Sequence, residues 1–213
     1  MDVVLIAIIA ANILFSYNGF QDTAFFRKYE FHIGSIRAGE QYRMFTSAFL
    51  HADVMHLVFN MYALFIFAPV VIDYLGAFSF GLIYAGSLIF GSLLTLYFHK
   101  NDYSYRAIGA SGAVTGVLYS AILLHPDMNL NFLFIPIDIP AYVFGIGYLL
   151  YSIYGMKAKN DNIGHTAHFG GAIGGYVITL CNQPQMFTDN LLMVILLAIP
   201  IIILFIMTKL GKL

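Results

Sequence analysis

Charge is what this sequence most lacks. Only 10% of its 213 residues are Asp, Glu, Lys or Arg, against roughly 25% in ordinary soluble domains. Hydrophobic residues make up 60%, and the mean hydropathy is +0.81. So few charges cannot cover a water-facing surface, so the chain reads as an integral membrane protein. A net charge of -1 and the lack of any basic run argue against a nucleic-acid partner. Cysteine is nearly absent. Cys181 stands alone in an apolar stretch, cannot form an internal disulfide, and says nothing about compartment. Met1 to Tyr17 lacks the basic n-region of a secretory signal and reads as a retained first span. Low-complexity segments, solenoid repeats and inverted repeats are also missing. The last of these, with few intramembrane carboxylates, argues against a transporter. Asp138, between Pro136 and Pro140, reads as a loop residue.

What the sequence does have is apolar runs. A helix needs about 20 residues to cross the hydrocarbon. Seven candidate spans lie near residues 2–17, 54–75, 77–98, 111–125, 139–156, 167–182 and 190–208. The expected fold is therefore an all-α membrane protein, a polytopic helical bundle. The fourth span is short, so its first residue should lie at bilayer depth inside the bundle, where irregular backbone is tolerated only if it lines protein or a wet cavity. The loop from Asn18 to Asp53 mixes charge with Phe25, Phe26, Tyr29 and Phe31, and reads as a structured cap or interfacial element rather than a linker. Alternation of the spans puts every Lys and Arg on one side of the membrane, here called side B. By the positive-inside rule, side B would be cytoplasmic.

Polar groups inside such a bundle are costly and mark candidate sites. Three sets lie near the side B ends of their helices. Ser111 opens the fourth helix in Ile108-Gly109-Ala110-Ser111-Gly112-Ala113, beside helix N-terminal N–H groups that stabilise developing negative charge. Taken alone, this is no more than a glycine-eased helix start. His56 and Asn60 are spaced i, i+4 and share a face of the second helix. His165 and His168 sit at the entrance of the sixth. A lone histidine near a helix end is ordinarily structural; three sets converging on one side carry more. Gly112/Gly116 in the fourth helix, and Gly170/Gly174 and Gly171/Gly175 in the sixth, have the spacing that lets helix backbones approach closely. If those faces touch, Ser111 meets a histidine of the sixth helix at the same depth, as a nucleophile and its base. The Asn60 amide, the His56 ring and the Ser111 N–H could then form an oxyanion hole. No Asp or Glu stands in a triad-like place beside either histidine of the sixth helix, so two residues rather than three are expected to carry the chemistry.

In this order and on separate spans, the motifs resemble those of rhomboid intramembrane serine proteases. Gly109-Ala110-Ser111-Gly112 matches the family's Gly-x-Ser-Gly motif. His51-Ala-Asp-Val-Met-His56-Leu-Val-Phe-Asn60 is similar to its His-and-Asn motif, and Ala167-His168-Phe-Gly-Gly171 to its Ala-His-x-x-Gly motif. The resemblance covers roughly residues 1–182, a six-helix catalytic core, and leaves 183–213 as an extension with a seventh span. It implies Ser111 as nucleophile, His168 rather than His165 as base, and His56 and Asn60 as oxyanion donors. It gives His51 a structural role and His165 a place at the rim. It further implies cleavage of transmembrane protein substrates, lateral access near the second and fifth helices, a cap from Gly155 to Gly164, a membrane-lipid setting and no cofactor. For a bacterial member it implies the cell (inner) membrane, with the site opening to the extracytoplasmic side. That opposes the charge count, and the family's orientation is taken as the expectation.

Two positions depart from the family. Tyr42-Arg43 stands in place of a common Trp-Arg, and Thr115 in place of a tyrosine that some members pack against the base. With Thr115 there, what orients His168 is left open, Tyr119 being too far along the helix. Two alternatives compete. A non-proteolytic relative could hold client helices with the same fold, although such relatives generally lack the serine or the histidine. A metalloprotein could use His51, His56, His165 and His168, but the chain has no His-Glu-x-x-His and no carboxylate beside these histidines inside the bundle. Natural substrate and oligomeric state lie beyond the sequence.

Overall fold

The short fourth span proves to be the centre of the bundle. In a computed structural model, which describes residues 1–132, 135–158 and 163–213, it forms a helix, Ser111–Leu124. Every residue after Ser111 in that helix is buried. At 1.5 Å per residue its 14 residues reach about 21 Å, short of the roughly 30 Å hydrocarbon core. One end must therefore stop at membrane depth.

In chain order the helices are α1 (Val3–Gln21), α2 (Thr23–Tyr29), α3 (Ile33–Arg37), α4 (Arg43–Thr46), α5 (Val54–His99), α6 (Ser111–Leu124), α7 (Ala141–Ala158), α8 (His165–Asn182), α9 (Met186–Asp189) and α10 (Leu191–Lys209). The expected second and third spans are the two halves of α5. Gly76, at φ 80° and ψ 162°, is the non-helical residue that divides its 46 residues. Only glycine takes that conformation without strain. Asp2 and Asp53 cap α1 and α5, their carboxylates accepting from Val4 N and His56 N at 2.8 Å each. α8 begins two residues earlier than expected, so His165 and His168 both lie within it.

α6 is held by α5 and α8. The two glycine pairs of α8 serve different neighbours. A Cβ on Gly171 or Gly175 would strike the carbonyls of Gly112 and Gly116 in α6. One on Gly170 would lie 2.6 Å from Gly91 Cα, and one on Gly174 2.9 Å from Ser87 Cα, both in α5. Two hydroxyls along the α6–α8 seam are hydrogen-bonded to each other and to the backbone. Ser120 Oγ donates to Gly116 O at 2.9 Å, and Thr179 Oγ1 to Ser120 Oγ at 2.7 Å. α7 and α10 pack against each other on another flank.

The first loop is a structured cap, built from α2, α3, α4 and a 3₁₀ turn, Ser47–Phe49. Arg43 is buried within it and donates to Arg27 O at 2.7 Å and Glu30 O at 3.1 Å. Buried Glu30 pairs with Arg27 and Arg106. A strand pair, β1 (Phe31–His32) with β2 (Arg106–Ala107), ties this cap to the loop leading into Ser111. A second antiparallel pair, β3 (Asn129–Phe132) with β4 (Ile135–Pro140), closes the loop between α6 and α7. Asp138 therefore lies in a strand and not in a loop as expected. Of the expected cap from Gly155 to Gly164, residues 159–162 lie outside the described residues.

Candidate active site

The site begins with the turn before α6. Gly109 has φ +114°, in the left-handed region. A Cβ there would lie 2.8 Å from His56 Cε1, 2.9 Å from His56 Nε2 and 3.8 Å from Ser111 Oγ. Glycine is thus needed twice, for the turn and for the approach of the His56 ring. The turn's amides are not left bare at this depth. Gly109 N donates to Ser47 O at 3.0 Å, and Ala110 N to His51 Nε2 at 3.4 Å. The turn delivers Ser111 as the first residue of α6, among N–H groups that have no carbonyl one turn back.

Because the glycine faces of α6 and α8 touch, the Ser111 hydroxyl meets the His168 ring. Oγ and Nε2 are 2.8 Å apart. His168 is buried, at 3% exposure, which shields the pair from bulk water. The other ring nitrogen, Nδ1, lies 2.9 Å from the Tyr148 hydroxyl, and the two rings stack with centroids 5.2 Å apart. Tyr148 comes from α7. Thr115 turns its own hydroxyl back along α6, donating to Ser111 O at 2.7 Å.

His56 and Asn60 stand on one face of α5. Asn60 Nδ2 donates to His56 O at 2.9 Å, using one of its two N–H bonds. His56 Nδ1 accepts from Ala52 N at 3.4 Å. In the neutral ring the proton is then on Nε2, the atom beside Gly109 and on the Ser111 side. His51 is fully buried. Its Nε2 accepts from Ala110 N, so Nδ1 carries the proton and donates to Ser16 Oγ at 2.9 Å; Ser16 passes its own to Phe49 O at 3.0 Å. Burial first, and then neighbouring His56, push the His51 pKa down to about 3, against an opposing pull from Asp53. With both nitrogens engaged by protein, His51 has none for a metal. Among the described residues, no group of three or more His, Cys, Asp or Glu is placed to hold a metal ion.

A serine hydroxyl in contact with an imidazole, with N–H groups close by on separate spans, is an arrangement that fits acyl-transfer chemistry. Residues 38–185 match the family model of the Rhomboid domain, more than half of the chain. The chain belongs to the rhomboid family. Among curated relatives, YdcA of Bacillus subtilis (strain 168), a rhomboid protease by assigned name, is 33% identical over 69% of this chain and 70% of its own length. RHOMBOID-like protein 12, mitochondrial, of Arabidopsis thaliana is 28% identical over 80% of this chain and 55% of the relative. Rhomboid protein 1, mitochondrial, of Saccharomyces cerevisiae is 32% identical over 61% of this chain and 38% of the relative. This rhomboid thus spans little more than half, or less, of its mitochondrial relatives.

The structure brings Ser111, His168 and His56 around one turn, with Asn60 one helical turn from His56. Sequence reasoning missed Tyr148. It looked for the partner of His168 along α6, whereas Tyr148 stands among several tyrosines on α7. The one local signal is Gly145, three residues earlier on the same face, which lets α7 come close to α6. His165 lies near the site, its ring centroid 6.0 Å from that of His168.

Proposed function

We propose that this rhomboid is an intramembrane serine endopeptidase that cuts transmembrane segments of other membrane proteins. The observation that carries the reading is the 2.8 Å contact between Ser111 Oγ and His168 Nε2. Ser111 Oγ attacks the carbonyl carbon of the scissile peptide as His168 Nε2 takes its proton. The carbonyl oxygen becomes an oxyanion, held by the Ser111 N–H, the His56 ring and the Asn60 amide. The C–N bond breaks, and the imidazolium returns the proton to the leaving amine. Water then attacks the acyl-enzyme, giving its proton to the same nitrogen; the bond from the acyl carbon to Ser111 Oγ breaks, the imidazolium returns the proton to Oγ, and the acid product leaves. A cavity of about 40 Å³ beside the serine, with Ser47, Ser92, Thr95 and Ser111 in its lining, has room for water at this depth. No cofactor takes part.

A helical substrate hides its carbonyls, so a locally unwound segment must reach Ser111, passing between α5 and α7. In this reading residues 1–182 form the catalytic core and 183–213 an appended helix. The site opens to the extracytoplasmic side of a bacterial inner membrane. The opposing charge count loses force because Arg27, Arg37, Arg43 and Arg106 are engaged within the loops. A Lys157→Cys variant in a Cys181→Ser background should react with a membrane-impermeant thiol reagent in whole cells; reaction only after lysis would reverse the orientation.

The activity is tested with purified protein in detergent and a generic single-span substrate. Wild type should cleave, and Ser111→Ala and His168→Ala should not. Equal cleavage by Ser111→Ala would end the reading.

A further inference from the structure

We propose that Tyr148 is a positioning residue for His168, and that through it the alignment of the Ser111–His168 pair depends on the docking of α7. This rests on His168 being the general base. A neutral imidazole has one N–H and one lone pair. To take the serine proton at Nε2, His168 must carry its own proton on Nδ1, and Nδ1 faces the Tyr148 oxygen at 2.9 Å. In that tautomer Nδ1–H donates to a lone pair of the Tyr148 oxygen. The bond holds the imidazole in the form that can act as base, and the ring stack, tilted by 29°, opposes a ring flip.

The three residues sit on helices of different standing. Ser111 on α6 and His168 on α8 are fixed to each other by backbone contact at the glycine seam. Tyr148 is on α7, which meets α6 through side chains. A Cβ on Gly145 would lie 2.7 Å from Ile122 Cδ1, and the Tyr119 hydroxyl donates to Gly145 O at 3.0 Å. An outward shift of α7 by about 1 Å would carry the Tyr148 oxygen out of hydrogen-bond range of Nδ1, while Ser111 and Nε2 stay together. The base is then set only when α7 is seated, so passage of a substrate past α7 and readiness to cut are linked.

The test uses the full chain in detergent. Tyr148→Phe keeps the ring and removes the hydroxyl. Its kcat should fall about 10- to 100-fold with KM unchanged, at an unaltered unfolding temperature. A second arm needs no substrate. In protein labelled with ¹⁵N-histidine, with the His168 signals assigned by His168→Ala, wild type should show the proton on Nδ1. Tyr148→Phe should shift those signals towards the other tautomer, as should Gly145→Val, which wedges α7 from α6 without touching the reacting atoms. Unchanged His168 signals in Tyr148→Phe overturn the positioning role. Unchanged signals in Gly145→Val overturn the dependence on α7. If wild type and Ser111→Ala cleave alike, the serine reading fails instead, and the spectra still decide what Tyr148 does. Ser111-dependent cleavage with full kcat in Tyr148→Phe sinks this inference alone.

Discussion

The two flanks of α6 are built differently. Towards α8 the contact is backbone on backbone, with Gly171 and Gly175 against the carbonyls of Gly112 and Gly116. Nothing in that seam can rotate to relieve a clash. Towards α7 the contact is made by side chains, Tyr119 reaching Gly145 O and Ile122 filling the space above Gly145. Side chains have other rotamers, so this flank can yield. The difference separates two tasks. In the proposed mechanism the reacting pair is set by the rigid seam, and the group that orients the base rides on the adjustable side, where the substrate would also pass.

The strongest way to break the comparison is to put a side chain into each flank. Gly171→Leu would drive into the Gly112 carbonyl and should abolish cleavage and lower the unfolding temperature sharply, well beyond the roughly 1–3 kcal/mol of ordinary overpacking. Gly145→Ala meets only the far end of Ile122 and should cost no more than about 1 kcal/mol, with activity largely kept. Thermal unfolding in detergent and a cleavage assay measure both. Equal damage at the two sites would show that the flanks do not differ.

Within the rigid part, Asn60→Ala removes one of the proposed oxyanion donors and leaves the others. Turnover should drop about 10²–10³-fold while the variant stays folded; unfolding would give Asn60 a structural role instead. The smallest effect concerns His51 in the turn below the serine. Its pKa is about 3 when folded and near 6.5 when unfolded, so between these values the unfolded chain binds the extra proton. Stability is full above about pH 6.5 and declines as the pH falls towards 3. The unfolding temperature of wild type should therefore fall over that range, and His51→Gln should fall less steeply. Parallel curves would mean that His51 does not resist protonation.

Much of the rigid part can be read along the chain, because it is made by local pattern. Glycines four apart mark the seam, Gly76 marks the break between two spans, and His56 and Asn60 share a face by spacing alone. The adjustable part could not be read this way. Tyr148 meets His168 across 20 residues and two helices, and nothing in a run of tyrosines says which one turns inward. Thr115 showed that the usual place for an orienting ring was empty, but a gap at one position does not name the position that fills it. The β3–β4 pairing escaped for a related reason. Pro136 and Pro140 look like loop residues, since proline cannot donate to a ladder, yet they belong to a strand of a two-stranded pair, where half the backbone need not donate.

The central claim is that His168 activates Ser111, and a fluorophosphonate probe tests it without any substrate. An activated serine oxygen attacks phosphorus, fluoride leaves, and the adduct can be located by mass spectrometry of the peptide containing Ser111. Wild type should be labelled at Ser111 and nowhere else, Ser111→Ala not at all, and His168→Ala at a rate lower by about 10²-fold or more. Labelling of Ser111 at the same rate in His168→Ala would contradict the account.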